Sequence, residues 1–186
     1  MIRNISDPVS REFMWAIYGI GVIVSVVLSI WSIAIDSVIN NDGIEYVRAA
    51  ELLSSIDHWQ DAFTVWKWPF YPWLMMWVGD TVGISYETAG HALNTLFFTL
   101  VVVFFVATVR AFGGRSRSIT WIAMLIALAH PAFNEYRAFL IRDPGYLAAY
   151  LLAVCFLAKY RWQPCARYRL AVIGCLVVAT LFRVEG

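Results

Sequence analysis

Long apolar runs alternate with short charged links along this chain, and the alternation predicts membrane-crossing helices. Phe13 to Ile35 is an uncharged run of 23 residues. At about 1.5 Å per residue, that helix covers a hydrocarbon core of roughly 30 Å. Ala89 to Val109 is a second clear run. Three shorter stretches follow, Ile119 to about Phe133, Pro144 to Ala158 and Leu170 to Phe182. Flanking residues extend each of them, with Lys and Arg snorkelling at the ends. The pattern predicts spans at about 13–35, 89–109, 118–136, 143–160 and 167–185. Ser32-Ile33-Ala34 offers a faint cleavage-like triplet. A signal peptide has a shorter apolar core, about 7–15 residues, so the first run reads as an uncleaved span.

One apolar stretch is excluded from the spans. Pro69 to Gly79 holds two prolines, is too short to cross, and is rich in Trp. Trp favours the boundary of lipid and water, so the stretch reads as surface-lying or re-entrant. Charge then orients the bundle. The links 110–117 and 159–169 carry Arg110, Arg115, Arg117, Lys159, Arg161, Arg167 and Arg169 and no acid, which assigns both to the cytoplasm. The segment 36–88 carries eight acids against Arg48 and Lys67 and becomes the outer loop. Strict alternation puts the link from Asn134 to Asp143 on the outer side as well. The N-terminus falls inside, with Arg3 and Arg11.

The outer loop has a helix of its own, from about Asp42 to Ile56. Asp42 is the expected N-cap, and Glu45 has capping-box spacing from it. Glu45, Arg48, Glu51 and Ser55 make a polar stripe, and Tyr46, Val47, Ala50 and Leu53 an apolar one. Such a helix lies on a membrane surface.

Composition agrees. The chain has 186 residues, 61% of them hydrophobic and 16% aromatic, too apolar for a soluble domain of this size. A net charge of +1 gives no reason to expect nucleic acid. Cys155, Cys165 and Cys175 lie in or beside apolar runs without metal or redox spacing, and read as small hydrophobes. No Gly-rich loop suggests a nucleotide, and no cofactor is expected. An outer carboxylate pair is the place where a divalent ion could bind. The expected fold is all-α, a single polytopic helix bundle with amphipathic surface helices in its first outer loop.

Topology gathers the candidate chemistry on the outer side. Asp42 and Glu45 open the surface helix, and Lys67 precedes Trp68-Pro69. Glu135, Arg137, Arg142 and Asp143 fill the link between the third and fourth spans. Arg183 and Glu185 interrupt the fifth span near its outer end, and His91 lies near the outer end of the second. Carboxylates mixed with Arg and Lys at a membrane surface suit an anionic lipid headgroup. The cations bind phosphate, and a carboxylate serves as general base toward an incoming hydroxyl.

Asn41-Asp42-Gly43-Ile44-Glu45-Tyr46, followed by Ala49 and Leu52-Leu53, resembles the acidic motif after the first span of the GT-C glycosyltransferases. Trp66-Lys67-Trp68-Pro69-Phe70-Tyr71-Pro72-Trp73-Leu74 resembles the Lys-Pro-Pro-Leu-Tyr-Tyr-Trp-Leu stretch that follows it in that family. Arg142-Asp143-Pro144 resembles its Thr-Asp-Pro, and Leu181 to Gly186 resembles the polar end of its fifth span. The nearest branches are the protein mannosyltransferases and aminoarabinose transferases. The resemblance covers most of the chain from Asp36 onward and depends on four pieces in order. It departs at Gly43, where many relatives carry a second acid, and at Trp68, where they carry Pro.

The resemblance implies a polyprenyl-phosphate-linked sugar donor and a glycan, lipid or protein acceptor. It implies Asp42 as the base, with Asp36 as fallback, Asp143 as a further site carboxylate, and Lys67 as a phosphate contact. Glu45 and Tyr46 belong to the same motif as Asp42, and Arg137, Arg142, Arg183 and Glu185 become substrate contacts by location. It also implies a longer protein, of which these residues are an N-terminal portion, in a bacterial inner membrane or its equivalent. Two other classes compete. Asn94 and His130-Pro131 within spans suit a transporter or lipid flippase, although a His beside Pro reads more simply as a core residue. A non-catalytic membrane subunit of an envelope-glycan assembly complex would tolerate changes to the outer charges.

Overall fold

The computed structural model describes residues 10–36 and 38–183, and every regular element within them is helical. In chain order these are α1 (Arg11–Ile35), α2 (Asn41–Ser54), α3 (Ala62–Val65), α4 (Phe70–Val82), α5 (Tyr86–Ala111), α6 (Arg117–Ala129), α7 (Pro131–Glu135), α8 (Asp143–Trp162) and α9 (Ala166–Phe182). Two 3₁₀ turns, Trp59–Asp61 and Tyr136–Ala138, complete the set.

Local chemistry explains the boundaries. Ser10, Ser85 and Ser116 cap α1, α5 and α6, each hydroxyl accepting the N–H three residues on. Gly83 stops α4 in the left-handed region, with φ 76°, and its N–H and that of Ile84 both close on the Gly79 carbonyl. Among the described residues α1 and α5 are the two helices long and apolar enough to cross a membrane.

The stretch expected as a third span is divided. α6 has 13 residues, His130 is extended (φ −61°, ψ 117°), and α7 adds five more. Pro131 lacks the N–H that would bond back to Ala127, and its ring drives His130 out of the helical region. The apolar run continues across that break, so hydropathy alone does not reveal it. His130 is exposed there and rests on Phe133, with centroids 4.5 Å apart, and is not a core residue.

The cap of α2 also differs from the expectation. Asn40, not Asp42, is the N-cap residue, and Asp42 sits inside the first turn. Asn40 does not cap with its side chain, because both amide atoms are spent on Leu140. Its Nδ2 donates to the Leu140 carbonyl (3.2 Å), and its Oδ1 accepts the Leu140 N–H (2.9 Å).

Side-chain contacts fix the helix directions. Tyr18 shares a cavity wall with Arg110, while Thr99 Oγ1 meets Ser25 Oγ at 3.3 Å, so α5 runs back along α1. Thr108 Oγ1 donates to the Leu151 carbonyl (3.1 Å) and Trp162 Nε1 to that of Ala111 (3.1 Å), so α8 runs with α5. Phe182 faces Gly145 and Tyr168 stacks on Phe156, so α9 returns along α8. Arg110, Arg115, Lys159 and Tyr168 therefore gather at one end of the bundle, the basic end. Asn40, Asp42, Asp143 and Arg183 gather at the other.

α1 buries a single line, Ile17, Gly21, Ser25 and Ser29, spaced by four residues. The remaining faces of α1 leave Trp15, Ile23, Val27, Ile30 and Trp31 exposed, and α9 buries only Ala179 and Phe182. The outside of the bundle is therefore largely apolar. α4, the Trp-rich stretch, is a 13-residue helix that packs Tyr71, Pro72, Met75 and Gly79 inward against α2 and α5. With Tyr46, Leu93, Leu140 and Phe182, its Tyr71 and Met75 build the core beneath the end that carries Asp42 and Asp143.

Candidate functional site

The link from Asn134 to Asp143 is the structural hub of that end, held by side chains of α1 and α5 and by Asn40, just before α2. The Asn40 amide clasps Leu140 as described. Asn94 on α5 donates from Nδ2 to the Phe139 carbonyl (2.6 Å), and its Oδ1 accepts the Tyr71 hydroxyl of α4 (2.9 Å). Tyr71 is fully enclosed, and burial beside Tyr46 pushes its hydroxyl well above the usual phenol range. It therefore stays a neutral donor.

Arg137 points inward and is 1% exposed. Its Nη1 donates to the Ser25 carbonyl (3.1 Å), Ser25 Oγ (3.2 Å) and Ser29 Oγ (2.8 Å), and its Nε donates to Asn134 Oδ1 (2.9 Å). The guanidinium lies 5.1 Å from the Phe98 ring centroid. Its Nη2 has no hydrogen-bond partner among the described residues. Desolvation lowers its pKa to about 10, so it remains a cation at neutral pH. The small residues of α1 make room for it, and their hydroxyls and carbonyl dipoles solvate it.

A cavity of about 540 Å³ opens beside this hub, lined by Asn40, Asn41, Asp42, Tyr136, Phe139, Ile141 and Asp143. An adjoining cavity of about 320 Å³ shares Tyr136, Ile141 and Asp143 with it. The rest of its wall is mostly apolar and includes Phe98, Phe133, Pro144 and Leu147. Through those shared residues the two volumes form one cleft: its larger half adds the Asn40 and Asn41 amides and the Asp42 carboxylate to Tyr136, Phe139 and Ile141, and its smaller half is the more apolar. Arg183 also lines the second cavity, and its Nη1 pairs with Asp143 Oδ1 at 3.2 Å. Both groups are about half exposed, so the pair is open to solvent and adds little stability. Asp42 is exposed and makes no ion pair with a described residue.

Asp42, Asp143 and Arg183 are thus brought together. Glu45 is exposed one turn after Asp42 and lines neither half of the cleft. Tyr46 is buried, edge-on to Trp66 (4.7 Å) and Tyr71 (5.2 Å), so it supports the floor and does not face the opening. Arg142 lies over the Trp66 ring at 5.2 Å. Lys67 is exposed between Trp66 and Trp68, apart from the cleft wall. Trp68 Nε1 donates to the Leu181 carbonyl (2.7 Å), which ties the Lys67 segment to the end of α9. Arg137 lies inside the bundle against the Phe98 ring and lines neither half of the cleft. Asp36 accepts the Val38 N–H (3.3 Å) at the end of α1. His91 has a buried Nδ1 without a partner among the described residues. Glu185 lies outside the described residues.

Sequence reasoning missed Asn40, Tyr136 and Ile141 as cleft residues and Arg137 as a buried pin. For Arg137 a signal existed: Ser25 and Ser29 at helical spacing with Gly21 in an otherwise apolar run. Among the described residues no group of three or more His, Cys, Asp or Glu side chains gathers as a metal site would require. What the cleft offers chemically is a free carboxylate, a second carboxylate held by a guanidinium, and an apolar annex. No family model, characterised protein or solved structure matches this chain.

Proposed function

We propose that this chain is a multi-pass membrane protein that transfers a sugar from a polyprenyl-phosphate donor to an acceptor hydroxyl in the cleft of Asp42 and Asp143. The membrane part of the reading draws on the apolar exterior. The windows of α1 and α5 that pass as candidate spans are only 22% and 44% buried, whereas the central helix of a soluble protein is mostly enclosed. α1 is also built into the bundle, since Ser25 and Ser29 solvate Arg137. The basic end faces the cytoplasm by the charge rule, and the cleft faces outward. α6 with α7, α8 and α9 complete the crossings.

The single observation that carries the reading is that Asp42 and Asp143, a hundred residues apart in sequence, line one cavity. A donor with a charged head and an apolar tail suits a cleft divided the same way. The sugar and acceptor occupy the polar half, the first isoprene units lie along Phe98, Phe133 and Leu147, and the phosphate meets Arg183. Asp42 takes the proton of the acceptor hydroxyl. The oxygen then attacks the anomeric carbon, and the bond to the phosphate oxygen breaks with its electron pair leaving on the phosphate. Arg183 stabilises that charge.

The flippase reading has less to stand on. Asn94 spends both ends of its amide on Tyr71 and Phe139, and His130 rests on Phe133 at the break between α6 and α7.

The test is Asp42→Asn in the full protein, reconstituted with polyprenyl-phosphate mannose and polyprenyl-phosphate aminoarabinose. Loss of a general base lowers turnover by about 10²–10⁴ while donor binding persists. Unchanged turnover in the variant removes Asp42 from the role. Binding without transfer by either wild type or variant supports the non-catalytic subunit instead.

A further inference from the structure

At the end of the bundle opposite the cleft, a second cavity of about 360 Å³ gathers Arg110, Arg115 and Lys159 with Tyr18, Trp162 and Tyr168 in its wall. The three cations come from three places: the last turn of α5, the turn that follows it, and the last turn of α8. We infer that this cavity is a binding site for a phosphate group, either the headgroup of an acidic phospholipid or a soluble phosphate.

The partners of the cations argue for an anion. Arg110 donates from Nη1 to Thr120 Oγ1 (2.9 Å) and more weakly to the Arg115 carbonyl (3.5 Å), both neutral acceptors. Lys159 lies 5.4 Å from the Phe156 ring centroid, a contact that leaves its three N–H donors available. The flanking links 110–117 and 159–169 contain no Asp or Glu. Three like charges line one cavity with no carboxylate among the described residues of its wall, and a bound anion relieves their repulsion.

One contact ties two of the contributing elements together: Trp162 Nε1 donates to the Ala111 carbonyl (3.1 Å), joining the end of α8 to the end of α5. Basic loops at a membrane surface are common and attract acidic lipid diffusely. A cavity whose wall takes Arg and Lys from three separate elements suits a ligand with several acceptor oxygens. Tyr18, Trp162 and Tyr168 add the amphipathic rings that frame a headgroup. The inference stands apart from sugar transfer. Its phospholipid arm rests on the proposed membrane crossing, and its phosphate arm does not.

The experiment places the full chain in nanodiscs of phosphatidylcholine, with and without phosphatidylglycerol, and titrates inorganic phosphate into the neutral discs. Retained lipid is counted by native mass spectrometry, and binding is followed by thermal shift. The cavity variant is Arg115→Gln with Lys159→Gln, which leaves the Arg110–Thr120 bond intact. The control is Arg161→Gln with Arg169→Gln, two exposed cations of the same end outside the cavity wall. Retention of phosphatidylglycerol that weakens about tenfold or more in the cavity variant and persists in the control supports the headgroup. Protection by inorganic phosphate in neutral discs, with the same variant pattern, supports a soluble phosphate. Equal loss in both variants shows diffuse surface attraction and overturns the inference, as does the absence of either ligand effect in the wild type. If the cavity variant does not fold, Lys159→Gln alone decides between the same outcomes. Failure of the chain to enter nanodiscs at all would instead count against the membrane reading.

Discussion

Replacing Arg137 tests whether a buried guanidinium holds the site together. In Arg137→Met the volume is kept, and the charge with its four hydrogen bonds is lost. Each such bond to a charged donor carries about 1.5–3 kcal/mol, but the loss is not their sum. The Ser25 and Ser29 hydroxyls can turn to carbonyls one helical turn back, and the Ser25 carbonyl keeps its place in the helix. Asn134 Oδ1 is the one acceptor stranded, at about 1–3 kcal/mol. Against this stands the desolvation of a cation with no carboxylate partner among the described residues, which the Met variant relieves. The net expectation is a loss of about 1–2 kcal/mol. Arg137→Ala also opens a cavity, for about 2–5 kcal/mol more. Arg137→Lys keeps the charge, but an ammonium cannot span Asn134 and both serines, so it should fall below the Met variant.

Unfolding free energies in detergent, by steric trapping or reversible denaturation, give the order: wild type, Met, Lys, Ala. Amide exchange at Leu140 should rise in step. The pH dependence has a defined sign. Desolvation lowers the folded-state pKa to about 10, below that of a solvated guanidinium, so above that pH the unfolded chain holds the proton more tightly. Arg137 therefore makes stability rise with pH only above about 10, and contributes no slope from pH 5 to 9. Should Lys be the best-tolerated replacement, charge alone would matter, and the forked geometry would not be the reason for the residue. Met and Ala variants both within about 0.5 kcal/mol of wild type would refute the pinning role altogether.

Asn40→Ala removes the clasp on Leu140 and should cost about 1–3 kcal/mol, with faster exchange at the Leu140 amide and little change at α8. Gly145→Ala forces a methyl against the Phe182 ring, which Phe70 and Phe97 hold in place at 5.1 Å each. A loss of about 1–3 kcal/mol is expected in melting measurements, and Phe182→Leu should recover part of it. Single cysteines at Arg115 and Asp57, in a background without the three native ones, should label from opposite sides of sealed vesicles. Labelling from one side would overturn the proposed orientation.

Apolar length revealed α1 and α5 in the sequence, and the alternation of acidic and basic links revealed which residues share an end of the bundle. Both signals are local and additive. What was not legible depends on distant partners. Asn40 before a helical pattern reads as a cap, and only the fold supplies Leu140 to compete for its amide. Arg137, beside other charges in a short link, reads as facing water, because the cost of burying it is met by α1, far back in the chain. The break at Pro131 was open to inspection but hidden by continuous hydropathy. Asp42 and Asp143 were legible as candidates because charge near an apolar helix is costly wherever it occurs. Their shared cavity was not, since it depends on how far the Asn40 clasp draws the start of α2 over the link.

The buried guanidinium also bears on the chemistry proposed for the cleft. Arg137 lies against the ring of Phe98, and Phe98 lines the apolar half of the cleft, so a buried cation is in contact with a residue of that wall. A charge in so dry a place is weakly screened, and its field reaches further than that of an exposed residue. On the proposed reading the departing phosphate gathers negative charge at the junction of the two halves, where Arg183 is half exposed and already shared with Asp143. Arg137 then favours that charge without touching it, at no reorganisation cost during the reaction, because the serines of α1 already hold it in position. The Met variant separates the two roles. If Arg137 only pins the link, turnover follows the small loss of stability. If it also supplies field, turnover falls well beyond that loss while donor affinity changes little.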